Sequence, residues 1–224
     1  MQTRRSPIHE RLDGDGAQWG ELAGMPVALH FGQPDAEAAA VKTLALCDMS
    51  GLPKLGLKGT SAADWLAGQS VDVPETVYDT RRLPDDGVCV RLPDDELMLE
   101  SGITARTVPA LSGAFVSAEP GVVRVERQEA TFLLTGARAI EVLAQTCGVD
   151  FRDVPDDRAI LTRVAMVSCT ILPESTGDVK RYRLWLEYGY AVGLWDILAT
   201  IARELGGSVV GARAVYPDSR DAFG

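Results

Sequence analysis

The sequence predicts an α+β fold in which duplicated β-α-β units form antiparallel sheets covered by helices. Three observations carry this expectation. Leu55-Gly56-Leu57-Lys58-Gly59-Thr60-Ser61-Ala62-Ala63-Asp64-Trp65-Leu66 recurs 77 residues later as Phe132-Leu133-Leu134-Thr135-Gly136-Ala137-Arg138-Ala139-Ile140-Glu141-Val142-Leu143. Each copy reads as an alternating strand, a glycine, and a helix with alanine, an acidic residue and leucine at fixed offsets. A second echo follows each copy, Leu97-Met98-Leu99-Glu100-Ser101-Gly102 and Leu184-Trp185-Leu186-Glu187-Tyr188-Gly189. Finally, strand pairs lie between helices with little βαβ alternation, which favours antiparallel sheets over a doubly wound parallel one. Two copies at this spacing fit neither a solenoid nor a propeller. The first repeat with its N-terminal arm occupies residues 1–120 and the second residues 121–224, packed closely enough to count as one domain.

Each element has its own justification. Residues 1–20 are polar and glycine-bearing, an irregular arm ending at Trp19, and residues 26–31 form a first strand. Residues 35–46 read as a helix, with Asp35 and Glu37 in the first turn where the helix dipole favours carboxylates. The first repeated strand spans 54–58 and its helix 60–67. Residues 80–86 are turn-rich, and strands at 88–92 and 96–100 flank Pro93-Asp94-Asp95 as a hairpin. A helix at 104–111 conflicts with Pro109.

In the second half, strands at 122–126 and 131–134 lead to a helix at 137–147. That helix puts Ile140, Leu143 and Cys147 on one face and ends at Gly148 in a left-handed turn. Residues 161–172 make one or two β-branched strands, 174–180 a polar loop, and 182–188 a further strand. From Ala191, Leu194, Trp195, Leu198, Ile201, Ala202 and Leu205 keep helical spacing opposite Asp196, Thr200, Arg203 and Glu204. Gly206-Gly207 ends that helix, 208–215 returns as a strand, and 217–224 is a flexible or partner-bound tail.

Composition narrows the function classes. At 46% hydrophobic and 24% charged, the 224 residues suit a soluble globular protein. A formal charge of −10 disfavours nucleic acid and anionic membrane as partners. No apolar stretch approaches the roughly 20 residues that span a bilayer, and Arg4-Arg5 precedes a polar segment rather than a secretory leader. The expected location is cytoplasmic. Cys47, Cys89, Cys147 and Cys169 form no metal-binding spacing; Cys47 and Cys147 fall at helix ends, Cys89 and Cys169 in strands. With only His9 and His30, a catalytic triad or histidine metal site is not expected.

The remaining polar clusters read as structure. Lys58-Gly59-Thr60 lacks the upstream glycine-rich turn of a phosphate loop. Asp85-Asp86, Asp94-Asp95 and Asp156-Asp157 adjoin prolines in turns and read as solvated loop carboxylates. Trp19, Trp65, Trp185 and Trp195 could stack on a cofactor, but Trp65 and Trp195 lie on apolar helix faces and read as core. No catalytic, cofactor-binding or metal-ligating residue is assigned.

Several segments resemble the folate-binding aminomethyltransferase superfamily. They are Ser6-Pro7-Ile8-His9, Trp19-Gly20-Glu21-Leu22-Ala23-Gly24-Met25-Pro26-Val27, and Leu46-Cys47-Asp48-Met49-Ser50 with Lys54 to Gly59. In the second half, Thr131 to Gly136, Glu141-Val142-Leu143, Cys147-Gly148-Val149-Asp150, Tyr182-Arg183-Leu184 and the Trp195 helix resemble the γ subunits of heterotetrameric sarcosine oxidases. Two departures stand out. Gly51 replaces the histidine that usually follows Asp-x-Ser, and the strand at 88–92 offers Cys89 and Arg91 where the transferases carry a pteridine-holding carboxylate. A counterpart of the transferases' separate carboxyl-terminal domain is also missing.

The resemblance implies an accessory γ-type subunit of a sarcosine-oxidase-like flavoenzyme acting on sarcosine or another N-methyl amine. It puts FAD, FMN, NAD and tetrahydrofolate on larger flavin- and folate-binding partner subunits, with none in this chain. The alternatives are a stand-alone tetrahydrofolate-dependent transferase or folate-binding protein, and a small-molecule binding module. The superfamily's repair branch would show Lys-Gly-Cys-x-x-Gly-Gln, which this chain lacks.

Overall fold

The computed structural model describes residues 4–115 and 119–223. The first three residues of the expected arm and Gly224 of the expected tail lie outside them. The chain forms two compact units that interleave along the sequence. One comprises residues 1–51, 129–156 and 160–224, the other 52–128 and 157–159.

The expected irregular arm contains a short helix, α1 (His9–Gly14), whose Ile8 and Leu12 are buried. Strands β1 (Gln18–Leu22) and β2 (Met25–His30) pair as a hairpin, turning at Ala23 and Gly24, both at positive φ. Helix α2 (Pro34–Thr43) starts with proline at its first position. It stops earlier than the sequence suggests, because the apolar run Ala45-Leu46-Cys47 is needed as a fully buried strand, β3 (Ala45–Asp48). Cys47 is therefore a strand residue, whereas Cys147 does close a helix.

The first repeat follows as β4 (Lys54–Lys58), α3 (Ala62–Gly68), β5 (Thr80–Arg82), β6 (Val88–Leu92), β7 (Glu96–Glu100) and α4 (Thr107–Ala114). Pro109 does not break α4, since it lies in the first turn where a backbone donor has no intrahelical partner anyway. After β8 (Val123–Val125), the second repeat runs β9 (Ala130–Thr135), α5 (Ala139–Thr146), β10 (Ile160–Val164), β11 (Val167–Thr176), β12 (Val179–Leu186) and α6 (Ala191–Glu204). Cys147 is extended after α5 and Gly148 is not at positive φ, so the expected left-handed stop is absent there. The expected polar loop at 174–180 is mostly strand, because Glu174 is matched by arginines on β12. Only β13 (Ser208–Val209) of the expected last strand forms, followed by α7 (Ala212–Val215).

Sheet order shows the duplication directly. One unit orders its strands β5-β6-β7-β4-β8, the other β10-β11-β12-β9-β3-β13. The repeats thus share a four-strand antiparallel order, and each central strand (β4 or β9) gains one more antiparallel neighbour. That neighbour is exchanged. β3 precedes β4 in sequence but pairs with β9, while β8 precedes β9 but pairs with β4. The hydrogen bonds around the two repeat glycines also match. Gly59 N–H donates to Asp95 O (3.0 Å) and Gly136 N–H to Lys180 O (2.8 Å). Ser61 N–H donates to Gly121 O (3.2 Å) and Arg138 N–H to Thr43 O (2.9 Å). The second sequence echo is slipped, however. Leu99 faces Leu55 and Leu184 faces Phe132, so the true register lies two residues from the one that matches Leu97 with Leu184. A two-residue slip keeps the same face, which is why the pattern still looked right.

Each unit has its own core. Phe132, Leu134, Leu143, Trp195 and Leu198 are buried in one, with Phe132 and Trp195 edge to face at 5.0 Å. Leu55, Leu57, Leu66, Leu99 and Leu111 form the other, with half-buried Trp65 edge-on to Phe115 at 5.3 Å.

Candidate functional site

The Asp-x-Ser segment is a joint. Asp48 Oδ1 accepts Ser50 N–H (3.0 Å) and the Ser50 hydroxyl (2.5 Å), and Ser50 Oγ accepts Thr131 N–H (3.1 Å). Met49 N–H donates to Thr131 O (2.8 Å), so the segment continues the β3–β9 ladder past its last residue. Asp48 and Ser50 are both buried.

Asp85 is also structural, and it is not a solvated loop carboxylate. It is buried, and its Oδ2 accepts Arg106 N–H (3.0 Å) and Thr107 N–H (2.9 Å) at the start of α4. Ser101 Oγ accepts Val108 N–H (2.9 Å), and Pro109 has no N–H, so the first turn of α4 is fully satisfied. Burial pushes the Asp85 carboxyl up, but the backbone donors of Thr107, Gly102 and Arg106 outweigh it and hold it below the usual range. Asp94 and Asp95 are exposed at the β6–β7 tip, both at positive φ. Asp156 lies 3.7 Å from Lys180, and Asp157 O accepts from Thr80. At Lys58-Gly59-Thr60 the lysine faces Glu96 at 3.9 Å and the glycine N–H points at Asp95, leaving no cradle of free donors.

On β6, Cys89 is fully buried and its thiol is pushed up to about 12 by desolvation, which makes it inert. Arg91 Nε donates to Pro74 O at 2.6 Å. His9 stacks on Trp19 at 4.1 Å, and His30 Nδ1 accepts Gly32 N–H at 3.1 Å. Among the described residues, no group of three or more His, Cys, Asp or Glu is placed to hold a metal ion.

A cleft of about 760 Å³ lies between α2, the β11–β12 hairpin and α7. Helix α2 contributes Pro34, Ala38, Val41 and Lys42, spaced to share one helix face, and the other wall carries Thr176, Val179, Arg181, Arg213, Val215 and Pro217. Glu37 Oε1 accepts Phe31 N–H (2.7 Å) and Gln33 N–H (3.4 Å), while Oε2 accepts Gly211 N–H (2.9 Å). That carboxylate fixes the floor of the cleft by joining β2, α2 and α7. Arg181 Nε is 2.7 Å from Glu174, and its guanidinium lies over the Tyr216 ring at 5.4 Å. Glu174 is shared with Arg183 at 3.0 Å, so two guanidiniums face one carboxylate. The cleft thus sets Lys42, Arg181 and Arg213 beside apolar walls, together with the carboxylates of Asp35 and Glu37.

Sequence reasoning missed this cleft. Its residues come from four separated segments and no motif links them. Arginines at alternate positions 181 and 183 opposite Glu174 were a usable signal, once the polar stretch is read as strand.

The profile of the GCVT N-terminal domain family matches residues 8–217. The fold resembles the glycine cleavage system aminomethyltransferase T of Bartonella henselae, with a TM-score of 0.75 at 18% identity over 95% of this chain. The chain spans 61% of that protein's length. It also resembles a chain of the heterotetrameric sarcosine oxidase of Corynebacterium sp. U-96, with a TM-score of 0.64 and 22% identity. That match covers 92% of this chain and 98% of the other. No curated protein matches the sequence.

Proposed function

Because the chain belongs to the GCVT N-terminal domain family, we propose that it is a γ-type accessory subunit of a sarcosine-oxidase-like flavoenzyme oxidising sarcosine or another N-methyl amine. Larger partner subunits carry FAD, FMN, NAD and tetrahydrofolate, and the one-carbon unit released from the amine passes to folate there. The assembly works in the cytoplasm. No helix among the described residues is long and apolar enough to cross a membrane.

One observation carries this reading: the polar groups at the positions that resemble the family are engaged in holding the fold. Asp48 and Ser50 knit β3 to β9, and Arg91 on β6 is tied to Pro74 O. Tetrahydrofolate does not fit β6. A pteridine presents a row of donors that calls for a carboxylate, and β6 supplies a buried thiol and an engaged guanidinium instead. Asp94 and Asp95 stand exposed at the hairpin tip.

The test is purification of the tagged chain from its native cells. The expected result is a fixed-stoichiometry complex with flavin-bearing polypeptides that oxidises an N-methyl amine, while the isolated chain carries no flavin and binds no tetrahydrofolate. A chain that purifies alone and binds tetrahydrofolate saturably, with the binding lost in Asp94→Asn or Asp95→Asn, would establish the stand-alone transferase reading instead.

A further inference from the structure

We propose that the cleft between α2, the β11–β12 hairpin and α7 is a binding site for a small amphipathic carboxylate. The anionic end rests among Lys42, Arg181 and Arg213, and the apolar body lies along Val41, Val179 and Val215. This goes beyond the accessory-subunit reading, which gives this chain no ligand, and does not rest on it.

Size, charge and rigidity point the same way. The volume of about 760 Å³ falls in the range of small-molecule sites, which are mostly apolar with a few placed polar groups. The chain carries a formal charge of −10, so an anion approaching it meets repulsion unless a local cation cluster wins. Screening over about 8–10 Å leaves that decision to the nearest charges. Those are Lys42, Arg181 and Arg213 against Asp35 and Glu37, with Glu174 shared between Arg181 and Arg183, so the cations keep a surplus of one; both Glu37 oxygens accept backbone N–H groups at the floor. Arg181 is held before any ligand arrives, by Glu174 at 2.7 Å and by the Tyr216 ring. Its planar fork suits bidentate pairing with an oxyanion at little further entropic cost. A bare phosphate dianion demands hydration that walls of proline, alanine and valine do not provide. An aliphatic or aryl carboxylate satisfies both parts of the site.

The experiment titrates the isotope-labelled full chain with sodium hexanoate, its neutral isostere hexanamide, and inorganic phosphate, following backbone amide resonances. Hexanoate is expected to shift Ala38, Val41 and Val215 saturably at millimolar concentrations. Hexanamide and phosphate are expected to act there at least about threefold more weakly, within the span of a single exposed ion pair. Arg213→Gln removes one exposed cation, and Ala38→Glu adds a carboxylate from an exposed helix position. Each should weaken hexanoate by about twofold to fivefold and leave distant resonances in place. Equal binding of hexanamide, equal binding of phosphate, shifts centred elsewhere, or affinity unchanged in both variants would each overturn the proposal.

Discussion

Gly59 and Gly136 occupy the left-handed side of backbone space, at φ +129° and +106°, and each lies against another segment's backbone. A Cβ at Gly59 would strike the Gly121 carbonyl, and one at Gly136 the backbone of Thr43. Gly59→Ala or Gly136→Ala should therefore lower stability by more than about 1 kcal/mol, read as a lower denaturant midpoint. Gly148→Ala, with open space around it and no positive φ, should stay within about 0.5 kcal/mol. Asp85 makes a second residue-scale prediction. Asp85→Ala should cost about 1 kcal/mol through loss of the α4 cap. Its folded carboxyl is lowered, so its contribution is complete above the unfolded value of about 3.9 and disappears as pH falls through the lower folded value. Asp85→Asn should accordingly unfold with a shallower acid limb than the parent. The repeat glycines were legible in the sequence because both copies keep them. Asp85 was not, because the N–H groups it caps lie 21 and 22 residues away.

Among the elements, α1 sets a hydrophobic anchor against surface charge. Ile8 and Leu12 are buried, while Arg11 faces Asp196 at 3.1 Å and Asp15 faces Arg203 at 2.7 Å in the open. Leu12→Ala should destabilise by about 2–5 kcal/mol. Arg11→Gln should have a much smaller effect that vanishes in high salt, and paired denaturant melts at low and high ionic strength measure both. The elements that could be read from the sequence are those with a single clear period, such as α6 and the two repeat strands. β3 was hidden because a short buried apolar run carries no period of its own. The length of β11 was hidden because polar residues look like loop until their partners are known. Pro109 looked like a breaker only while the helix start stayed undefined.

At the scale of the whole molecule, the exchanged strands matter most. A cut at the repeat boundary would leave β3 with the first half and β8 with the second, so each half would lack the strand its sheet uses. Residues 1–120 and 121–224 produced separately should each show broad, non-cooperative unfolding, and mixing them should restore a sharp transition. Two independently sharp melts would refute this. The duplication was legible from the glycine-centred repeat. The exchange was not, because sequence similarity reports which segments correspond and not which ones pair.

The exchange also gives the molecule a timetable. Ala45 pairs with Thr135 and later with Ser208, so β3 leaves the ribosome 163 residues before its outer neighbour exists. At about 5–20 residues per second that is a wait of roughly 8–30 seconds. The inserted unit, complete once residue 159 has emerged, can settle while the surrounding one is still open. For that interval the outer edge of β3, buried along its whole length in the finished fold, must remain unpaired in the nascent chain. Slowing synthesis late in the message should then lower soluble yield more than the same slowing placed before residue 45.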